Sequence, residues 1–290
     1  MIGIIGIIMI FVMVFGGFLM SGGSLNVIVT ALPHEMVTIG GASVGAFLLA
    51  NDLTTLKQTG RDVLKVFRGP MWKPADYRDL LGLLFDLIRI GRANPVALEE
   101  HIEAPDTSPV FGRYPKIRDD HELVEMICDT MRAASMNYDD PHQVEEVLDK
   151  RMAAAREKAL HTSEALQTMA DSLPAIGIVA AVLGVIQTMG SIDQPPEILG
   201  EMIASALVGT FMGVFLAYGF VGPFSNRVRV VVEEDQYFYQ LVREVLVANL
   251  HRHPPNICVE VGRQNTPHHV RPTFSDVEEI LRGLKQKAVG

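Results

Sequence analysis

The stretch Asp171–Gly190, DSLPAIGIVAAVLGVIQTMG, decides the fold. Beyond Pro174 it is apolar, with small residues at Ala175, Gly177, Ala180, Ala181 and Gly184 and no charge between Asp171 and Asp193. An apolar run of this kind fits a helix crossing the hydrocarbon core of a bilayer, close to the short limit of length. Its small pairs four residues apart, Gly177/Ala181 and Ala180/Gly184, suit close approach of helix backbones in lipid.

Three further apolar segments accompany it: Ile2–Met20, about Val37–Ala50 extended towards Leu32, and about Met202–Phe220. All 25 Lys and Arg lie in two blocks, Lys57–Lys158 and Arg227–Lys287. With 48% hydrophobic residues and a mean hydropathy of +0.22, this segregation is that of a chain crossing a membrane. A secretory signal is not expected at the start, since no basic residue precedes Lys57. Basic residues concentrate on the cytoplasmic side of spans. Lys57, Arg61, Lys65 and Arg68 follow the second span, Arg156 and Lys158 precede the third, and Arg227 and Arg229 follow the fourth. The short loops Ser21–Pro33 and Gly190–Gly200 have no basic residue.

The expected architecture is therefore an all-α membrane protein with four transmembrane helices and both termini in the cytoplasm. A large helical cytoplasmic insertion separates helices 2 and 3, and a cytoplasmic tail ends the chain. The domains are 1–50 (first two spans), 51–170 (insertion), 171–223 (last two spans) and 224–290 (helical tail). In the insertion, DHELVEMICDTMRAASM repeats apolar residues at helical spacing, and the segment opened by Pro141 is made of strong helix formers that can run without a break into the third span. Residues Ala104–Pro115 read as a loop. In the tail, a helix near Glu233–Leu250 is followed by an irregular stretch at Pro254 and Pro255. A closing helix then has Ser275 and Glu278 at capping-box spacing.

The formal net charge of −9 argues against nucleic acid. Cys128 and Cys258 suit reduced thiols. No phosphate loop, Ser/His/Asp set or dinucleotide fingerprint occurs, so no enzyme activity or cofactor is expected. His251, His253, His268 and His269 lack metal-ligand spacing within one element and read as surface residues.

Spans three and four contain no Asp, Glu, Lys, Arg or His, and a proton relay through lipid needs a titratable group. His34 and Glu35 read as lying near the outer end of span two, and Glu201 near that of span four. If the protein conducts protons, a partner must supply the carrier carboxylate. The small faces, Gly177, Ala180 and Gly184 with Gly209, Gly213 and Ala217, have two readings: ordinary helix packing, or room for a partner's helix. Thr210 either bonds back to its own helix or lines a pathway. Pro174, where span three begins, and Pro223, where span four ends, read as a cheap start and a stop, or as two breaks bounding a hinge. Arg89, Arg92 and Glu99 read as a solvated face by pattern.

DSLPAIGIVAAVLGVIQTMGS and ALVGTFMGVFLAYGFVGP, with ALEEHIE, FGRYPKI, PPNICVEVGR and RPTFSDVEE, resemble the MotA family of flagellar-motor stator proteins, itself within the MotA/TolQ/ExbB proton-channel group. The resemblance implies an ion-conducting stator subunit of the bacterial inner membrane, in motility and chemotaxis. Such subunits form a homo-oligomeric ring, expected to be a pentamer, around a single-span, peptidoglycan-binding MotB-type partner. The partner supplies the protonatable Asp, and the cytoplasmic part pushes the rotor protein FliG. Pro174, Pro223 and Thr210 match the family's functional prolines and pore-facing threonine, and Glu99 its acidic rotor contact. The basic contact falls on Gly91, with Arg89 and Arg92 beside it. Sodium-driven relatives carry Thr seven residues after the proline, where this chain has Ala181, which implies proton coupling. The alternatives are an ExbB/TolQ-type energiser or a non-conducting membrane scaffold.

Overall fold

The computed structural model describes residues 2–136 and 140–287, and every regular element in them is helical. The chain divides into two compact units: Met1–Gly69 with Ala159–Val231, and Pro70–Lys158 with Val232–Gly290.

The first unit begins with α1 (Ile2–Met20), α2 (Leu25–Glu35) and α3 (Gly41–Ala50). A π-helical turn, Met36–Gly40, joins α2 to α3, so residues Leu25–Ala50 form one helical stretch of 26 residues. It starts twelve residues before Val37 (37 less 25) because Ser24 caps it, its hydroxyl accepting from Asn26 N–H at 3.3 Å. Pro33 lies inside this stretch, has no N–H to give the preceding turn, and crowds that turn's carbonyl. The wider turn three residues on is a usual accommodation of such a fault. After α4 (Leu53–Arg68), the unit is completed by the C-terminal part of α9 (Pro141–Met189), by α10 (Pro196–Leu216) and by the start of α11 (Gly222–Leu250).

Two expectations are corrected here. Pro174 is not in a first turn but in the interior of the 49-residue α9, so the carbonyl one turn before it loses its helical donor. Pro223 does not stop a helix either. The π-turn Ala217–Val221 carries α10 directly into α11, absorbing the fault that the proline ring creates. Among the described residues, four helical stretches are long and apolar enough to cross a membrane: Gly3–Met20, Leu25–Ala50, and parts of Pro141–Met189 and Pro196–Leu250. Phe11 and Phe15 of α1 meet Phe211 and Phe215 of α10 edge to face, with ring centroids 5.5–6.1 Å apart.

In the second unit α5 (Pro74–Ala93) runs through the core, with every residue from Leu80 to Ile88 buried. Trp72 stacks on Phe238 of α11 at 3.9 Å, and Tyr77 meets the same ring edge-on at 5.0 Å. Around them lie α6 (Pro95–Glu103), the short α7 (Pro115–Arg118), α8 (His121–Met136), α12 (Pro255–Asn265) and α13 (Phe274–Lys287). α12 occupies part of the stretch expected to be irregular, because Pro255 sits at the first helical position, where its missing N–H costs nothing. The cap of α13 is also shifted. Thr273 Oγ accepts from Asp276 N–H at 3.2 Å and the Asp276 carboxylate accepts from Thr273 N–H at 3.0 Å, in place of Ser275 and Glu278. Cys128 and Cys258 are buried and free, and burial pushes the Cys128 thiol up to about 12, which leaves it unreactive at neutral pH.

Candidate functional site

α9 and α10 touch backbone to backbone. A methyl group built on Gly177 would meet the Gly209 carbonyl oxygen at 2.9 Å and Gly213 Cα at 3.0 Å. One on Gly213 would meet the Leu173 carbonyl oxygen at 2.7 Å, and one on Gly184 would meet Ala206 Cβ at 2.6 Å. Ala180 packs 3.2 Å from the same construction on Gly209. Helices come this close only where side chains vanish from the contact. Of the two readings of Gly177, Ala180, Gly184, Gly209 and Gly213, ordinary helix packing and room for a partner's helix, this contact is the first: they meet across the chain's own α9–α10 seam. Ala217 is fully buried in the same unit.

The outward side of α10 is different in character. Ile203, Leu207, Val214 and Tyr218 are exposed and follow one another at helical spacing, with half-buried Thr210 in the middle of the row. On α9 the exposed row is Ile178, Val179, Val182, Val185 and Ile186, with half-buried Ala181 at its border. Most helical threonines here bond back one turn, as Thr188 does to the Gly184 carbonyl at 2.9 Å and Thr38 to that of His34 at 3.0 Å. Thr210 has no such bond among the described residues. An unbonded hydroxyl facing hydrocarbon is unfavourable, by about 1–3 kcal/mol on protein scales. Thr210 itself therefore gains from a polar partner, whereas Ile203, Leu207 and Val214 around it favour an apolar one. Pro174 is half-buried and Pro223 exposed.

One residue has a larger place in this unit than its sequence position suggested. Glu35 is not at the end of its span but at the eleventh position of a 26-residue stretch. Its Oε2 is buried, has no hydrogen-bond partner among the described residues, and lies 2.8 Å from where a Gly209 Cβ would be. Recognising Ser24 as the cap would have placed it there. Glu201 is exposed near the start of α10.

The charged trio of the second unit separates. Asp86, 1% exposed, accepts from Arg89 at 2.9 Å and from Arg113 at 2.8 Å, so Arg89 neutralises a buried carboxylate. Arg92 bonds the Asn249 side chain at 3.0 Å and the His253 carbonyl, holding the end of α5 to the turn after α11. Glu99 is exposed on α6 with no bond or ion pair among the described residues. Gly91 faces α6, where an added Cβ would meet Leu98 Cδ2 at 2.7 Å. The solvated-face pattern therefore describes Glu99 and fails for the two arginines: Arg89 is held by buried Asp86 one turn before it, and Arg92 by partners distant in sequence.

Comparison with known proteins agrees with this arrangement. Residues 4–95 match the model of the motility protein A N-terminal region, and residues 120–240 that of the MotA/TolQ/ExbB proton channel family. Motility protein A of Escherichia coli is 37% identical over 286 residues, covering 98% of this chain and 96% of the relative. Chemotaxis protein LafT of Vibrio parahaemolyticus is 35% identical, covering 96% of this chain and 97% of the relative. Among solved structures, C. jejuni MotAB superposes with a TM-score of 0.70 at 15% identity, over 93% of this chain and 98% of that one. The flagellar MotAB stator complex from Bacillus subtilis gives 0.64 at 19% identity, over 89% and 92%.

Proposed function

The chain belongs to the motility protein A group of the MotA/TolQ/ExbB proton channel family, and from this we infer that it is an ion-conducting stator subunit of a flagellar motor in the bacterial inner membrane. The observation that carries the mechanism is the row on α10 in which unbonded Thr210 sits among exposed Ile203, Leu207 and Val214. An apolar row interrupted by a free hydroxyl fits a single-span MotB-type partner helix whose carboxylate takes up the proton. No charge occurs between Asp171 and Asp193, so the part of α9 beyond Asp171 has no group to carry it. The close α9–α10 contact then serves as a stiff wall, and Pro174 and the π-turn before Pro223 are places where the two helices could bend. Glu35, behind Gly209, adds a carboxylate on the wall side.

The distribution of basic residues supports four spans with 51–170 and 224–290 in the cytoplasm and both termini inside. In this reading copies of the chain close into a ring, a pentamer, around the partner, and the cytoplasmic insertion pushes the rotor protein FliG.

Ala181 bears on the choice of ion. It offers no oxygen with which to replace water around Na⁺, a hard cation, whereas a proton passed to a carboxylate needs no such cage. Cells swimming on this stator alone are expected to stop in a protonophore and to be indifferent to sodium removal. Sodium-dependent swimming would overturn the ion assignment. Copurification with a single-span, peptidoglycan-binding protein tests the stator reading itself, and a chain that purifies alone from a motile host speaks for a scaffold.

Glu99 is an acidic group free to meet a rotor. Glu99→Lys is expected to weaken that contact by about 1 kcal/mol, roughly fivefold, as for an exposed ion pair. Swimming under load should fall while the amount of protein in the membrane stays unchanged. Full torque in a tethered-cell assay would leave Glu99 a merely solvated residue.

A further inference from the structure

Two histidines that share no element converge on one carboxylate in the second unit. His142 stands in the first turn of α9, Glu145 one turn later, and His251 just past the end of α11. Taking one donor atom from each of the three residues, these atoms all lie within 4.8 Å of one another. Glu145 Oε2 is 3.8 Å from His142 Nδ1 and 3.6 Å from His251 Nε2. Both distances are too long for hydrogen bonds. They are close to the spacing of about 3.4 Å between ligands of a tetrahedral zinc ion with bonds of about 2.0–2.1 Å. We propose that His142, Glu145 and His251 form a three-ligand site for a divalent transition-metal ion of the Zn²⁺ class, which staples the start of α9 to the end of α11 and leaves a fourth position to water.

The surroundings hold this set in place. Glu145 Oε1 accepts from Arg243 at 3.2 Å, which turns Oε2 towards the two rings. Arg243 is itself held by Asp149, at 2.5 and 3.0 Å, and by Glu244 at 2.8 Å, so its charge is more than balanced by carboxylates. The turn that carries His251 is fixed on both sides, by Arg92 bonding Asn249 and the His253 carbonyl, and by the Cys258 thiol donating to the same carbonyl at 3.1 Å. The N-terminal end of α9 disfavours a cation and the C-terminal end of α11 favours one, so the two helix dipoles offset and the ligand charge decides. His142 is 81% exposed, free to swing the last few tenths of an ångström onto an ion and open to exchange with solvent. Histidine and carboxylate donors together suit Zn²⁺, and not Mg²⁺ or Ca²⁺, which prefer oxygen alone. The sequence hid this set because its spacing rules look within one element, and here the third ligand comes from the far end of the chain.

The test is calorimetric titration of the full-length chain, purified with its membrane partner and stripped with EDTA, with ZnCl₂. One equivalent per chain is expected to bind, and His142→Ala and His251→Ala are each expected to weaken it at least tenfold. Co²⁺ should give the visible absorption of a four-coordinate ion in the unaltered protein and lose it in His142→Ala, a change on an exposed side chain that leaves the packing untouched. Absence of Zn²⁺ binding, or binding in both variants as tight as in the unaltered protein, as it would be if the ion went to the remaining histidines, overturns the proposal.

Discussion

Gly213→Val is expected to abolish motility. The first carbon of the new side chain would sit 2.7 Å from the Leu173 carbonyl oxygen and 2.8 Å from Gly177 Cα, and both are backbone atoms with no rotamer by which to yield. The only relief is to move α9 and α10 apart, which strips the contacts of Gly177, Ala180 and Gly184 along the same seam. Overpacking of this kind costs about 1–3 kcal/mol where a core can adjust, and more where the obstacle is main chain. The loss lies in the wall beside Thr210, so proton flux through the assembled complex should fall with torque. The matched control is Gly200→Ala on the same helix, where an added Cβ has nothing within 4 Å and swimming should be unchanged. Wild-type swimming with Gly213→Val would show that the two helices are not pressed together in the working stator.

Arg89→Glu is expected to have the second large effect, and to act on folding. Asp86 is 1% exposed and is neutralised by Arg89 and Arg113 together. The change removes one of these cations and adds a second carboxylate beside a buried one. Breaking a buried pair from one side typically costs about 3–5 kcal/mol, and the remaining Arg113 sets the expectation at about 3 kcal/mol. Thermal unfolding of the purified complex should shift down and the protein level in cells should drop, whereas Glu99→Lys leaves both unchanged. Restoration of the level by Asp86→Asn in the same chain would trace the fault to the unpaired carboxylate. An unshifted melting curve together with lost torque would return Arg89 to the role of a free rotor contact. Charge reversal at Arg89 is therefore a poor probe of rotor binding, because it tests the fold first.

How these residues read from the sequence depends on how far away their partners are. The apolar runs that begin at Ile2 and Leu173 are local properties, as are the helix formers after Pro141, and α1, α8 and α9 follow from them. Pro174 and Pro223 misled because a proline in an isolated helix is a break, while here each helix continues through it, Pro223 with the help of a π-turn that closes in three dimensions. Thr273 took the capping role from Ser275 because both spacings are chemically sound and only the path of the preceding backbone chooses between them.

Residue type and order by themselves determined that this chain is helical, that four of its stretches are apolar enough to cross a membrane, and that no charge lies between Asp171 and Asp193, since each of these is a sum over neighbours. Tertiary structure alone decided which surface each residue serves. Gly177 meets Gly213, Arg89 answers Asp86 and Arg113 with it, Glu35 lies behind Gly209, and His142 faces His251. A glycine, an arginine or a histidine carries the same chemistry at every position. What it does depends on the atoms within about 4 Å, and close packing brings those from segments far apart in the chain.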